Sequence, residues 1–188
     1  MYARAVPWTL WALAALAVPC ALVLAVVGID VLRTPGELTD DDRKFQTAPA
    51  REPGLWEVGF LPADGSEKLL GLEDDVAFRR LAAAYLDVEP GEVDYVDIPE
   101  LESLRETTQA ELDRRSRSEP DPLRRSRLLT LYGVMRLDER PTDETGREEM
   151  AREAAAAFRA ALDLDPGNVD AMTNLEALLD THGELLQG

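Results

Sequence analysis

The stretch that decides the fold spans residues 154–183 and reads AAAAFRAALDLDPGNVDAMTNLEALLDTHG. Ala154, Phe158 and Ala161 fall at offsets 0, 4 and 7, which is the spacing of residues that share one face of an α-helix. Pro166 follows shortly afterwards, and proline does not continue a helix. The first half of this stretch therefore predicts an amphipathic helix that ends before Pro166.

The second half of the stretch predicts another helix. Asn168 has a residue type preferred at a helix N-cap. Met172, Leu175 and Leu179 then recur at offsets 0, 3 and 7, which predicts a buried apolar stripe. Gly183 is typical of a helix C-terminus. A tight turn between two packed helices follows from this pattern.

These two helices resemble the boundary between tetratricopeptide (TPR) repeats. The small-aromatic-small-proline series matches helix B of one repeat, and the helix after Asn168 matches helix A of the next. Glu176 departs from the pattern, because that position is usually small. The resemblance implies an all-α fold in which a small TPR-like array of helical hairpins follows the N-terminal segment.

The preceding helix begins at Asp121-Pro122, an N-cap residue followed by proline at the first helical position. Its buried face is predicted to contain Leu128, Leu131, Tyr132 and Met135. In the TPR alignment, Gly133 takes the small position of helix A, and Ala154 follows 21 residues later where 12 are expected. The resemblance therefore implies an insertion of nine residues, RPTDETGRE, in the hairpin loop. The next helix is expected from Thr145 to Leu164.

Two more helices are expected before residue 121. The first covers residues 73–88, and the second runs from Pro99 to just before Pro120. The expected inward-facing residues are Ala77, Leu81, Ala84, Tyr85 and Val88 on the first helix, and Leu101, Leu104, Thr108 and Leu112 on the second. We therefore assign residues 73–188 to one helical domain.

Residues 1–33 contain a candidate membrane helix. Trp8 to Ile29 is a run of 22 mostly apolar residues without charge, and as a helix it would be about 33 Å long, enough to cross a hydrocarbon core of about 30 Å. The alternative is a signal peptide cleaved near Val26 to Gly28, which would give a secreted helical binding domain. The length of the apolar run favours the membrane anchor.

Positively charged residues flank the apolar run on both sides. Arg4 and the terminal amine favour a cytoplasmic N-terminus, whereas Arg33, Arg43 and Lys44 follow the run within the distance that affects orientation. We adopt the first orientation. We therefore expect a single-pass protein of the cell membrane whose C-terminal domain is extracytoplasmic.

Residues 34–72 are rich in proline, glycine and acidic residues, which predicts a linker or flap. The segment GLWEVGFLP at 54–62 is too apolar for a simple spacer. One interpretation is that Trp56 and its neighbours dock on the helical domain. The other is that the segment is a partner-binding strand close to the membrane.

Composition excludes several classes of function. The net charge of -17 disfavours binding to nucleic acid. Cys20 and His182 are the only residues of their types, so nucleophilic triads and zinc sites lack their parts, and no glycine-rich phosphate loop is present. We therefore expect no catalytic residue, no cofactor and no metal. The remote enzyme alternative is a hydrolase that uses the carboxylates Asp143, Glu144 or Glu148.

One group of positive charges stands out in this acidic chain. It comprises six arginines around a predicted turn between two helices: Arg114, Arg115, Arg117, Arg124, Arg125 and Arg127. Those at the start of the second helix oppose its dipole, so negative charge is expected nearby. The two alternatives are an internal acidic neighbour, such as the helix that contains Glu100 to Glu111, and an acidic partner.

The TPR resemblance supplies a second set of candidate partner-binding residues. Asn174 occupies the position at which many TPR proteins hold a peptide on their concave face. Asp170, Thr173 and Ala177 would line the same face.

The layout as a whole resembles small actinobacterial TPR proteins that accompany MoxR-type ATPases and von Willebrand factor A domain membrane proteins. This likeness rests on the N-terminal anchor, the exit sequence VLRTPGEL and the terminal LDPGNVDAMTNLEALL. It implies a protein-protein interaction module that serves as a scaffold or assembly factor for a membrane complex. The implied partner is such an ATPase or von Willebrand factor A domain protein.

Overall fold

A computed structural model describes residues 8–47, 55–57, 59, 65–88, 99–139 and 143–186. The described residues form seven α-helices and no strand: α1 Trp8–Thr47, α2 Gly65–Leu70, α3 Glu73–Asp87, α4 Pro99–Ser118, α5 Pro122–Leu137, α6 Glu144–Leu164 and α7 Val169–Leu186. The all-α prediction is confirmed. The chain divides into two compact units, residues 1–76 and 77–188.

Helix α1 dominates the first unit. At 40 residues it is about 60 Å long, and within the described part of the chain it is the helix that is long and apolar enough to cross a membrane. From Ala17 to Ile29 almost every side chain of α1 is exposed, as Leu22 and Leu24 show. Such exposure of large apolar side chains is typical of a surface that meets lipid or another apolar partner.

The C-terminal part of α1 differs from the predicted linker, because the helix continues to Thr47 with Pro35 inside it. One face of this part buries Asp30, Thr34 and Leu38, which recur every four residues. The Thr34 hydroxyl also donates to the Asp30 carbonyl at 2.8 Å. Packing along this face offsets the backbone hydrogen bond that proline cannot make.

Trp56 docks on α1 within the first unit, whereas docking on the helical domain was the expectation. Its backbone N–H donates to Asp41 Oδ2 at 2.8 Å, and its indole N–H donates to Asp42 Oδ1 at 2.9 Å. Its ring meets Phe45 edge to face at 5.0 Å. Trp56 is buried, and its φ of 59° is rare for a bulky residue, so these contacts hold a strained backbone. Much of the segment 54–62 lies outside the described residues.

The second unit is a sequential stack of helices. Helix α4 packs on α5, α5 on α6 and α6 on α7, and α7 also touches α5. One core cluster joins Leu81, Tyr85 and Val88 to Leu112 of α4 and to Leu128 and Met135 of α5. A second cluster joins Ala151, Ala154, Ala155 and Phe158 of α6 to Leu178 of α7. Each helix therefore buries its apolar face against its neighbours in chain order.

The predicted helix caps are confirmed. Asp121 accepts a hydrogen bond from the Arg124 backbone N–H at 2.8 Å at the start of α5, and Asn168 accepts one from the Ala171 backbone N–H at 3.0 Å at the start of α7. Asp143 caps α6 in the same way, through the Gly146 N–H at 3.0 Å. Because of this cap, α6 begins at Glu144 and takes up much of the supposed nine-residue insertion.

Two residues expected to face inward are exposed. Leu104 on α4 is 41 % exposed and Met172 on α7 is 43 % exposed. On α7 the buried positions are Ala171 and Leu178, so the buried face is rotated by about one residue from the predicted stripe. The small side chain of Ala171 lets α7 approach its neighbours closely on that side.

Helices α5 and α6 approach each other closely at Gly133 and Phe158. A Cβ atom placed on Gly133 would lie 2.6 Å from Cε1 and 2.9 Å from Cζ of the Phe158 ring. Phe158 is fully buried. The absence of a side chain at Gly133 thus admits the aromatic ring.

We expect Gly133→Ala to destabilise the protein by about 1–3 kcal/mol, because the buried ring has little freedom to move away from a new methyl group. This cost exceeds the gain of roughly 1 kcal/mol that alanine brings to a helix interior. Urea unfolding followed by circular dichroism measures the difference. The double variant Gly133→Ala with Phe158→Leu should recover part of the loss, whereas a gain in stability from Gly133→Ala alone would show that the ring has room.

Candidate interaction site

The six arginines lie at the end of α4 and the start of α5, on both sides of the turn that joins these helices. Arg114 and Arg117 are exposed on α4, with side chains 62 % and 75 % accessible. Each forms two hydrogen bonds to a carboxylate on the same helix: Arg114 to Glu111, and Arg117 to Asp113. These exposed pairs add little to stability, but they reduce the positive charge that the surface presents.

Glu111 is the shared acceptor on this helix face. The hydrogen bond from Arg114 lowers the pKa of its carboxyl below the ordinary value, although partial burial opposes the change. Arg115 also lies 3.6 Å from Glu111. The carboxylate therefore stays charged at neutral pH, and it links two of the six arginines.

Arg124 forms the most buried ion pair of the group. Its Nε donates to Glu119 Oε1 at 2.9 Å, and its terminal nitrogen lies 2.9 Å from the same oxygen. The Glu119 side chain is only 1 % exposed and also accepts from the backbone N–H of Asp121 at 3.1 Å. This pair fastens the turn between α4 and α5 to the first turn of α5.

Arg125 and Arg127 differ in their surroundings. The Nε of Arg125 donates to the carbonyl of Ser116 at 2.8 Å, so this side chain closes the last turn of α4. Arg127 is exposed and forms no ion pair or hydrogen bond with the residues that the structure describes. Of the six arginines, Arg127 is therefore the one whose charge faces solvent and has no partner among the described residues.

The second candidate set lies together on α7. Asp170, Thr173 and Ala177 are exposed, and Asn174 is half-buried. The amide of Asn174 donates to the carbonyl of Asp170 at 2.9 Å, within its own helix. These four residues share one edge of α7, where they offer short polar and small side chains.

A buried polar network connects α5 to the turn between α6 and α7, and the sequence did not reveal it. The Asn168 amide donates to the hydroxyls of Ser126 at 2.8 Å and Thr130 at 3.0 Å. Ser126 in turn donates to the carbonyl of Ala161 at 2.9 Å. The only signal in the sequence was the spacing of Ser126 and Thr130, four residues apart on the buried side of α5.

We expect Ser126→Ala to cost about 1–3 kcal/mol, because the change leaves one Asn168 N–H without its acceptor and the Ala161 carbonyl with the Asp165 backbone N–H as its remaining donor. Thermal unfolding measures the loss. Thr173→Ala, on the exposed side of α7, is the matched control and should change stability by less than about 0.5 kcal/mol. Equal midpoints for wild type and Ser126→Ala would contradict the network.

Two of the three carboxylates of the hydrolase alternative have structural partners. Asp143 caps α6, and Glu148 lies 3.2 Å from Arg152, which matches the i,i+4 spacing of the two residues in the sequence. Glu144 is exposed in the first turn of α6. Among the residues that the structure describes, no group of three or more His, Cys, Asp or Glu side chains is placed to hold a metal ion.

The first unit contains an acidic cavity of about 340 Å³, lined by Glu37, Asp40, Asp41, Lys44, Glu57 and Gly59. Two of its four carboxylates are paired with basic residues of α1. Asp40 lies 3.1 Å from Arg43, and Asp41 lies 2.8 Å from Lys44 while it also accepts from Trp56. These contacts hold the segment around Trp56 on α1.

Comparison of the chain with protein-family models, with curated proteins and with solved structures found no match.

Proposed function

We propose that this chain is a single-pass membrane protein whose second unit is a TPR-like protein-protein interaction module. The observation that carries the proposal is the order of packing: each helix from α4 to α7 contacts the next, and α7 also touches α5. In such a stack, alternate helices share one face, and the exposed side chains along that face are available to a partner. A scaffold or assembly factor needs a surface of this kind more than it needs a catalytic pocket.

We propose that α1 is the membrane anchor. Its apolar part has large exposed side chains, and the helix continues through Val26 and Gly28 to Thr47, where the segment around Trp56 packs on it. The apolar run from Trp8 to Ile29 is longer than the roughly 7–15 residues of a signal-peptide core, which supports a retained anchor over a secreted domain. In the proposed topology the anchor lies in the cell membrane and the second unit is extracytoplasmic.

The contacts also divide the candidate residues. Arg124 and Arg125 hold the turn between α4 and α5, whereas Arg127 is exposed on α5. Asp170 and Thr173 are exposed on α7. We therefore propose that the partner approaches Arg127 and the exposed edge of α7, and that Arg124 and Arg125 act through folding.

The resemblance in layout implies the class of partner. A MoxR-type ATPase or a von Willebrand factor A domain membrane protein remains the proposal, since small TPR proteins of this layout accompany them. The experiment that tests the proposal therefore identifies the partner directly.

Affinity capture of the full-length protein from the membranes of the cells that produce it, read by mass spectrometry, tests the proposal. We expect a specific membrane protein or ATPase that is lost with Arg127→Glu and retained with Arg159→Glu. The two changes alter the charge equally, and Arg159 is exposed on α6. Capture that is insensitive to Arg127→Glu, or a mature chain that starts near Ile29, would contradict the proposal.

A further inference from the structure

We infer that α7 carries a docking stripe for an amphipathic helix with a basic flank, supplied by a partner protein. The inference rests on the proposed function, because it specifies the chemistry of the protein that the module binds. The stripe consists of Met172, Leu175 and Leu179, which recur at offsets 0, 3 and 7 along α7.

The stripe is only partly covered. Met172 is 43 % exposed, and Leu175 and Leu179 are half-buried. Ala171 and Leu178 are the buried residues of α7, and Leu175 packs from the inner edge of the stripe against the cluster around Phe158. The stripe therefore lies beside the buried face, where a further helix can add to the stack.

The outer edge of the stripe is acidic. This edge begins at Val169 and continues with two carboxylates, Glu176 and Asp180. The three residues fall at offsets 0, 7 and 11, so they lie in line along the helix beside the stripe. Val169 is 62 % exposed, and both carboxylates are exposed. Neither carboxylate forms an ion pair or hydrogen bond with another described residue. An apolar row with free negative charge along one side fits an apolar helix that is basic along one side.

Charge argues against a second copy of α7 as the occupant. Helix α7 contains no lysine or arginine, and its one basic side chain is His182, in the kinked last turn. If two copies of the stripe packed together, Glu176 and Asp180 of one copy would lie near the same carboxylates of the other copy. A helix with lysine or arginine along one flank replaces this repulsion with attraction.

Binding of a defined peptide to the full-length protein in zwitterionic nanodiscs tests the inference. The probe is a labelled amphipathic peptide of about 18 residues, with leucine at the a and d positions and lysine along one flank. A matched peptide carries glutamate in place of lysine, and empty nanodiscs give the lipid background. Binding is measured by fluorescence anisotropy at about 0.15 M salt, because salt at this concentration screens non-specific attraction of the lysine peptide to the acidic chain.

Four variants locate the binding on the protein. We expect Met172→Glu, and separately Glu176→Lys with Asp180→Lys, to weaken binding of the lysine peptide about tenfold or more. Glu106→Lys with Glu149→Lys makes the same change of charge at exposed positions on α4 and α6, and should weaken it less than about threefold. Arg159→Glu, at an exposed position on α6, should leave it unchanged. Thermal unfolding confirms that each variant is folded.

Equal binding by all four variants, or equal binding of the glutamate peptide, would overturn the inference. Self-association of the protein that disappears with Met172→Glu would also overturn it, because the stripe would then be covered by a second copy. The two proposals can also fail separately. If partner capture depends on Arg127 but no α7 variant changes peptide binding, the proposed function stands and the docking stripe alone is rejected.

Discussion

Phe158→Ala is expected to lower the free energy of unfolding by about 3–5 kcal/mol, the range found for large buried aromatic side chains. Phe158 is fully buried in the cluster that joins α6 to α7, and its ring fills the space beside Gly133 on α5. Truncation therefore leaves a cavity among three helices. Chemical denaturation of the full chain in detergent, followed by circular dichroism, measures the effect.

The neighbouring change Arg159→Ala is the control, because Arg159 is exposed on the same helix. It should alter stability by less than about 0.5 kcal/mol. If Phe158→Ala and Arg159→Ala had the same midpoint, Phe158 would not be part of the core and the packing of α5 on α6 would be wrong.

Arg124→Ala is expected to lower the free energy of unfolding by about 3–5 kcal/mol, although Arg124 lies near the surface. The reason is its partner: the Glu119 side chain is 1 % exposed, and the change removes both contacts from Arg124 to its Oε1. A buried carboxylate without its counter-charge is costly. Denaturant unfolding in the same detergent gives the value.

A double-mutant cycle with Glu119→Gln isolates this interaction. The neutral amide removes the buried charge, so Arg124→Ala should cost much less in the Glu119→Gln background than in the wild type. Arg117→Ala is the second control, since the exposed pair of Arg117 with Asp113 should contribute at most about 1 kcal/mol. Equal losses from Arg117→Ala and Arg124→Ala would contradict the buried pair.

The same contacts decide which substitutions can report on partner binding. Reversing the charge of Arg124 would place a second carboxylate beside the buried Glu119, and reversing that of Arg125 would remove its hydrogen bond to the Ser116 carbonyl. Such a variant is expected to lose stability and binding together. Arg127 is the suitable position, since it is exposed and makes no contact of this kind with a described residue.

Local signals in the sequence predicted the helices of the second unit well. Asp121 and Asn168 mark helix starts because their side chains accept from backbone N–H groups within the next three residues, a contact that depends on nearby residues alone. The face of α6 that contains Ala154 and Phe158 also follows from periodicity. These features need no knowledge of distant residues.

Features set by distant residues were missed or misplaced. Pro35 indicated the end of a helix, yet Asp30, Thr34 and Leu38 pack in the first unit and α1 continues. On α7, periodicity favoured Met172, whereas contacts between Asn168 and α5 fix the start of the helix and turn Ala171 inward. Periodicity identifies an apolar stripe, but the neighbouring helix decides which residues beside it are buried.

The candidate site shows the same division. The arginine cluster and its need for negative charge were visible in the sequence, but the pairing of Arg124 with Glu119 depends on the geometry of the turn. The network of Ser126, Thr130 and Asn168 spans about 40 residues of sequence, so no local pattern specifies it.

We propose that the second unit binds a protein partner while α1 holds it in a membrane. Photo-crosslinking in intact cell membranes tests it most directly, with a photoreactive amino acid at position 127 or 172 and at the exposed control position 159. We predict a discrete crosslinked protein from positions 127 and 172, in the membrane fraction, and none from position 159. Crosslinks to lipid alone, or the same set of proteins from all three positions, would contradict the account.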